Sequence, residues 1–244
     1  MTEAMMAGLP RLFVAADLSS RRELDTLLAQ IAPTGAGIKI GLEAYTALGG
    51  ELVQAAAEQG CSVFLDLKFH DIPTTVARAC TNVAALGASL TNVHALGGPR
   101  MISAAREALE KHGGPGRTKL LAVTILTSHS EADVRELGFT ENSAVLVPRL
   151  ARMARDAGAD GVVCSPHEAS GVREAAGPGF LIVTPGVRPS GSASNDQQRI
   201  ATPVDAIRSG ATHLVVGRPI TGAPDPAAAA QAIIGEIRAT LAGN

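Results

Sequence analysis

The sequence predicts a single (β/α)8 barrel over residues 1–244, and three observations carry that expectation. Short apolar, β-branched runs alternate with helical patterns along the whole chain. Eight such pairs fit at about 30 residues each, the spacing of strand–helix units in a barrel. No composition shift and no Pro/Ser-rich linker marks a second domain. An open doubly wound sheet is the weaker alternative, because no Gly-x-Gly-x-x-Gly follows the first strand.

Residues Met1–Pro10 carry no strand or helix pattern and are expected to be flexible. The first strand, Leu12-Phe13-Val14-Ala15-Ala16, ends at Asp17, and Ser20 with Glu23 then forms a capping-box pattern before Leu24, Leu27, Leu28 and Ile31. Gly37-Ile38-Lys39-Ile40 reads as the second strand. Leu42 to Gln59 reads as its helix, interrupted at Gly49-Gly50. The third strand opens at Val63, and its helix runs from Thr75 to Leu86. Leu90-Thr91-Asn92-Val93 ends at His94 and is followed by helix from Met101 to His112. The most hydrophobic strand is Leu120 to Ile125, ending at Thr127-Ser128. A longer segment then holds one helix at roughly Val145 to Ala157. Gly161 to Cys164 precedes Ser165-Pro166 and a short helix to Ala176. Phe180 to Val183 runs into Thr184-Pro185-Gly186-Val187-Arg188. A helix near Val204 to Arg208, the strand His213 to Val216 ending at Gly217-Arg218, and an Ala-rich helix near Pro226 to Leu241 complete the chain.

Composition narrows the function classes. A hydrophobic fraction of 46% with 18% charged residues suits a globular chain with a sizeable core. A net charge of −2 supplies no whole-molecule attraction to nucleic acid or to an anionic membrane. One Tyr, five Phe and no Trp leave little aromatic surface for stacking bases. Cys61, Cys80 and Cys164 are odd in number and widely spaced, so they read as small buried hydrophobes in a reducing compartment. No apolar run approaches the ~20 residues of a membrane span. The N-terminus lacks a basic patch followed by an apolar core, so no signal peptide is expected and a cytoplasmic location is.

One stretch concentrates charge in an apolar setting: Val63-Phe64-Leu65-Asp66-Leu67-Lys68-Phe69-His70-Asp71-Ile72-Pro73-Thr74-Thr75-Val76. Period-two geometry puts Asp66 and Lys68 on one strand face and Leu65, Leu67 and Phe69 on the other. Asp71 follows on the turn, and Pro73 suits a first helical position. A lysine between two carboxylates stays protonated, which makes it a proton donor rather than an amine nucleophile. The structural alternative is an ion pair plus a helix-capping Asp71. Charges at the inner end of an apolar strand cost desolvation and seldom add net stability, so function better explains the set.

In a barrel the chemistry lies at the C-terminal strand ends. Those ends here carry Asp17, Lys39, Asp66 with Lys68, His94, Thr127, Ser165, Pro185 and Gly217-Arg218. Lys39 alternates against Ile38 and Ile40 and points inward if these face the helices; a solvated rim lysine is the alternative. Asp17 is free of capping duty because Ser20 is the better cap. Loops after the seventh and eighth strands of such barrels often bind phosphate. Pro185-Gly186-Val187-Arg188 and Gly217-Arg218-Pro219 each join a small residue to a guanidinium that grips phosphate oxygens in a fork. Either arginine alone would read as a surface residue; the pair at matching strand ends favours an anion site. The polar run Pro189 to Gln198 suits a lid over it.

The spacing Asp-x-Lys-x-x-Asp-Ile-Pro-x-Thr from Asp66 to Thr75 resembles the signature of the orotidine 5′-phosphate decarboxylase family, in its bacterial type. Thr74 stands where many members carry Asn. The resemblance implies that Asp66, Lys68 and Asp71 form the catalytic array and that Thr75 contacts the ligand. It further implies that Asp17 and Lys39 meet the ribose side and Thr127 the pyrimidine or ribose. Arg188, Gln197, Gly217 and Arg218 resemble the phosphate-binding set, with Gln198 adjacent to Gln197 as an alternative. Asp71, Ile72 and Thr75 are contributed across a homodimer interface in that family.

By that resemblance the substrate is orotidine 5′-monophosphate, with no cofactor and no metal, and Lys68 protonates C6 as carbon dioxide leaves. Sugar-phosphate decarboxylases similar to 3-keto-gulonate-6-phosphate decarboxylase share the charged motif but use magnesium. Asp-Ile-Pro-x-Thr, the Pro-Gly-Val-Arg loop and Gly-Arg-Pro-Ile-Thr favour the nucleotide enzyme. A Schiff-base aldolase would need a neutral lysine, which these neighbours oppose. A catalytically silent nucleotide binder on the same barrel is the reading from another class, and the retained charged array argues against it. His70 and His94 lack metal-ligand spacing.

Overall fold

The computed structural model describes residues 8–113, 117–189 and 201–243. Eight parallel strands close into a barrel in sequence order: β1 Leu12–Ala15, β2 Gly37–Gly41, β3 Val63–Phe69, β4 Leu90–His94, β5 Lys119–Val123, β6 Gly161–Val163, β7 Leu181–Thr184 and β8 His213–Val216. The ring closes where Leu12, Phe13 and Val14 pair with Leu214, Val215 and Val216. Around it lie α1 Arg21–Ile31, α2 Leu42–Leu48, α3 Glu51–Glu58, α4 Pro73–Ala85, α5 Gly98–Gly113, α6 Glu131–Glu136, α7 Ser143–Asp156, α8 Ala169–Ala176, α9 Pro203–Arg208, α10 Arg218–Thr221 and α11 Pro226–Ala242. The barrel predicted from strand–helix alternation is the observed architecture.

Strand alternation divides the core into shells. Leu12, Val14, Ile38, Ile40, Val63 and Leu65 face outward and pack with Leu24, Leu28 and Ile31 of α1 and with other helix residues. Phe13, Phe64, Leu90, Leu121, Leu181, Val183 and Val215 fill the barrel interior, where the rings of Phe13 and Phe64 meet edge to face at 5.9 Å. Gly37 makes this possible: a Cβ there would fall 2.6 Å from the Phe13 ring. Because Gly37, Lys39 and Gly41 share one face of β2, room for a large ring below comes with a charged residue above.

Two local expectations change. Ser20 caps α1 by accepting from the Glu23 N–H at 3.4 Å, whereas a complete capping box forms at Ser130 and Asp133. That box starts α6, a helix absent from the sequence-based assignment, and Asn142 starts α7 at Ser143 rather than near Val145. The Ser-x-x-Asp spacing at 130–133 was the available signal. No helix among the described residues is long and apolar enough to cross a membrane.

His213 sits in the buried interior of β8. Its Nδ1 lies 2.8 Å from the Thr212 hydroxyl, and Nε2 has no partner among the described residues. Burial, reinforced by Arg11, pushes its pKa from 6.5 down to about 3. The unfolded chain therefore binds a proton that the fold refuses, so this group's contribution is intact above pH 6.5 and is lost as pH falls toward about 3. The slope approaches about 1.4 kcal/mol per pH unit within that window. Urea unfolding should show His213→Asn losing less stability than the wild type between neutral and acid pH; parallel losses would remove His213 from the account.

Candidate active site

At the C-terminal mouth of the barrel lies a cavity of about 470 Å³. Its lining includes Asp17, Lys39, Asp66, Lys68, Thr127, Arg188, Gly217 and Arg218. Residues drawn from six of the eight strand ends thus converge, which the sequence implied only by their matching positions. Gln197, Gln198 and most of the polar run between Arg188 and Arg199 lie outside the described residues, as do residues 1–7 of the N-terminal segment.

The charges form an alternating row. Asp17 Oδ1 accepts from Lys39 Nζ at 3.1 Å, Lys39 Nζ lies 3.5 Å from Asp66 Oδ2, and Lys68 Nζ donates to Asp66 Oδ1 at 2.6 Å. Asp66 is the centre of the row and is nearly sequestered from water. Burial pushes its carboxyl up, but Lys39, Lys68 and hydrogen bonds from Lys68 and Asn92 outweigh burial and hold it below its ordinary value. Gly41 belongs to the same construction: a Cβ there would come 2.9 Å from Lys39 Nζ and 3.2 Å from Asp17 Oδ1.

Backbone irregularity places Lys68. Leu65 pairs with Thr91 and Phe69 with Val93, so β3 carries extra residues across from β4. Lys68 adopts φ +52°, the only positive φ at a non-glycine residue among those described. Its N–H donates to Asn92 Oδ1 at 2.7 Å. Asn92 Nδ2 in turn donates to Asp66 Oδ1 at 2.7 Å. Sequence reasoning missed both Asn92 and Gly41: Asn92 acts through β3, and Gly41 leaves room for Lys39 and Asp17.

The third charge of the motif behaves differently from the expectation that three charges crowd one strand end. Asp71 is exposed, and its Oδ1 accepts from the Ile72 N–H at 2.6 Å. Asp71 therefore does not cap α4: Ile72 is the N-cap, without a side-chain bond, and Pro73 starts the helix. Ile72, at 66% exposure, and Thr75 are likewise exposed, outside the cavity lining. Among the described residues Lys68 has one carboxylate partner, and Asp66 has two ammonium neighbours.

At the far wall Arg188 is buried, and its Nε lacks a partner among the described residues. Its backbone N–H is fixed by Ala201 O at 2.9 Å. Arg218 begins α10 directly after Gly217, so both loops present guanidinium groups to the same cavity. A buried guanidinium with an unfilled donor favours an anion. The rings of His70 and His94 lie 5.5 Å apart, and burial, then His70 and Lys68, lower the His94 pKa. No cluster of three or more His, Cys, Asp or Glu suited to a metal occurs among the described residues.

The chain is similar over most of its length to proteins of one family. The family model described as "Orotidine 5'-phosphate decarboxylase / HUMPS family" matches residues 10–233. The chain is 53% identical over 232 residues to the orotidine 5′-phosphate decarboxylase of Halorhodospira halophila, spanning 95% of this chain and 98% of that protein. It is 54% identical over 200 residues to that of Geobacter metallireducens, spanning 82% of this chain and 84% of the relative. The crystal structure of orotidine 5′-phosphate decarboxylase from Lactobacillus acidophilus superposes with a TM-score of 0.84 at 42% identity, covering 94% of this chain and 99% of that one. An uncharacterized conserved protein from Geobacillus kaustophilus gives 0.82 at 38% identity, covering 93% and 99%.

Removing Lys39 should leave burial as the larger influence on Asp66. In Lys39→Met the Asp66 carboxyl is expected to titrate higher than in the wild type. Carbon-detected NMR of the aspartate carboxyls measures this, and an unmoved titration would contradict the alternating row.

Proposed function

The chain belongs to the orotidine 5′-phosphate decarboxylase / HUMPS family, and on that premise we propose that it converts orotidine 5′-monophosphate to uridine 5′-monophosphate and carbon dioxide, a step of pyrimidine biosynthesis. The observation that carries this is a single cavity holding the Asp66–Lys68 pair at one wall and Arg188 with Arg218 at another. A phosphate on the guanidinium groups sets the pyrimidine ring over the ammonium.

The reaction breaks the bond between C6 and the carboxylate. Carbon dioxide departs, the electron pair stays at C6 in the ring plane, and carbonyl delocalisation does not absorb it. The Lys68 ammonium stabilises that charge and passes a proton to C6, and solvent then reprotonates the amine. Asp66 holds the Lys68 ammonium in place, and its carboxylate faces the leaving group. Asp17 and Lys39 hold the ribose side, and Thr127 meets the pyrimidine or ribose. Gly217, Arg188 and Arg218, together with Gln197 from the polar run, bind phosphate. No metal or other cofactor takes part. Proton transfer from a placed acid supplies about 10²–10⁴ in rate. The remainder is drawn from binding energy at the distant phosphate.

The proposed active unit is a homodimer in which each chain is one domain. Asp71 and Thr75 face solvent in the single chain beside the exposed apolar Ile72, as residues that complete a neighbouring site would. Asp71 of a second chain then provides the other carboxylate beside Lys68.

Two experiments follow. An absorbance assay with orotidine 5′-monophosphate and excess chelator should give full turnover for the wild type and none for Lys68→Ala, while Lys68→Ala still binds uridine 5′-monophosphate. Activity lost to the chelator would favour the magnesium-dependent sugar-phosphate chemistry. Uridine monophosphate binding without wild-type turnover would favour a silent binder. In the second experiment, inactive Lys68→Ala and Asp71→Ala chains are mixed and allowed to exchange. Activity should return to about a quarter of the wild-type sites, because half the dimers are mixed and each restores one site; no recovery would place Asp71 in its own chain's site.

A further inference from the structure

Asn92 lies on β4 with its side chain completely buried, and its amide makes two bonds into the charged row. Its Oδ1 accepts from the backbone N–H of Lys68 at 2.7 Å, and its Nδ2 donates to Asp66 Oδ1 at 2.7 Å. Because Lys68 N is a donor, the amide orientation is determined: oxygen toward Lys68, nitrogen toward Asp66. The same Asp66 oxygen takes the Lys68 Nζ at 2.6 Å. One planar amide therefore ties together the lysine backbone, the aspartate and, through it, the lysine ammonium.

The backbone bond matters because Lys68 holds φ +52°. A side chain with a Cβ is strained there. That conformation persists only where the surroundings fix it, and Lys68 lies in the register gap of β3, between the Leu65 and Phe69 pairings with β4. Asn92 Oδ1 is the acceptor for its N–H in that gap. Without it the lysine is free to relax toward the extended region and swing its ammonium away from the cavity.

We propose that Asn92 is a positioning residue for decarboxylation: it locks Lys68 in its left-handed conformation and orients Asp66 to receive the ammonium. This inference rests on the decarboxylase reading of the site. It assigns Asn92 no contact with substrate; Asn92 acts through the two residues that face the cavity. An asparagine is required because one end must accept and the other donate. Leucine, of similar size, offers neither function. An ionised aspartate would offer two acceptors and set a second negative charge against Asp66. A protonated aspartate reproduces the amide, its carbonyl accepting from Lys68 N–H and its O–H donating to Asp66. The other charged and titratable groups around this point, Asp17, Lys39, Lys68 and His94, are the same in either variant.

The test is steady-state decarboxylation of orotidine 5′-monophosphate across pH for wild type, Asn92→Leu and Asn92→Asp, with uridine 5′-monophosphate affinity measured alongside. Asn92→Leu should lose kcat by about 10²-fold at every pH, the scale expected for a misplaced reacting group, while retaining nucleotide affinity. Asn92→Asp should be similarly impaired at neutral pH and recover as pH falls and the introduced carboxyl takes up its proton, a trend the wild type lacks. Variants with kcat close to the wild-type value and a parallel pH profile would overturn the role of Asn92. So would variants in which turnover and nucleotide affinity fall together without acid recovery, since that marks a merely structural amide. An inactive wild type in the same assay would instead overturn the decarboxylase reading on which the inference rests.

Discussion

A carboxylate kept ionised inside an apolar barrel is the constraint on which the rest of the structure depends. Asp66 is nearly excluded from water, and burial pushes its carboxyl pKa up. Two ammonium groups on adjoining strands and one amide outweigh that. Each compensating group then imposes its own requirement. Lys39 in its observed position leaves little room for a Cβ at position 41. Lys68 needs an irregular β3 and an acceptor for its stranded N–H. Buried ion networks of this kind seldom raise stability over apolar packing. Their arrangement is understood through the charge they hold ready at the cavity wall.

The barrel brings this charge and two guanidinium groups to one cavity. Strands β7 and β8 end in the loops carrying Arg188 and Gly217-Arg218, while β2 and β3 carry Lys39, Asp66 and Lys68 to the same cavity. On the proposed function, a phosphate at one end of the ligand is held apart from the group that reacts at the other. Binding energy at the phosphate can then be spent where bond breaking occurs. The same proposal accounts for an anionic ligand under a net charge of −2, because local guanidinium groups would do the recognition.

Much of this was legible in the sequence, and what was not has identifiable causes. Strand–helix alternation is a local signal, so the eight-stranded barrel followed from it. The ends of those strands named Asp17, Lys39, Asp66, Lys68, Thr127, Arg188 and Arg218, all of which line one cavity. Period-two alternation put Asp66 and Lys68 on the same face, yet the backbone reaches that result through a bulge and a positive φ that no alternation rule contains. Asn92 and Gly41 escaped notice because their importance comes from how side chains of neighbouring strands meet, which a single strand does not encode. Asp71 shared the motif spacing but turned to the neighbouring Ile72 N–H; linear spacing says nothing about which chain a loop residue serves. The helix at Glu131–Glu136 was overlooked although Ser130 and Asp133 carry its start signal.

The most direct measurement is a crystal structure of the protein soaked with uridine 5′-monophosphate. The account predicts the pyrimidine C6 facing Lys68 Nζ, with Lys68 still bonded to Asp66 and the phosphate gripped by Arg188 and Arg218. A nucleotide bound with its phosphate away from those two arginines, or with C6 turned from Lys68, would contradict it.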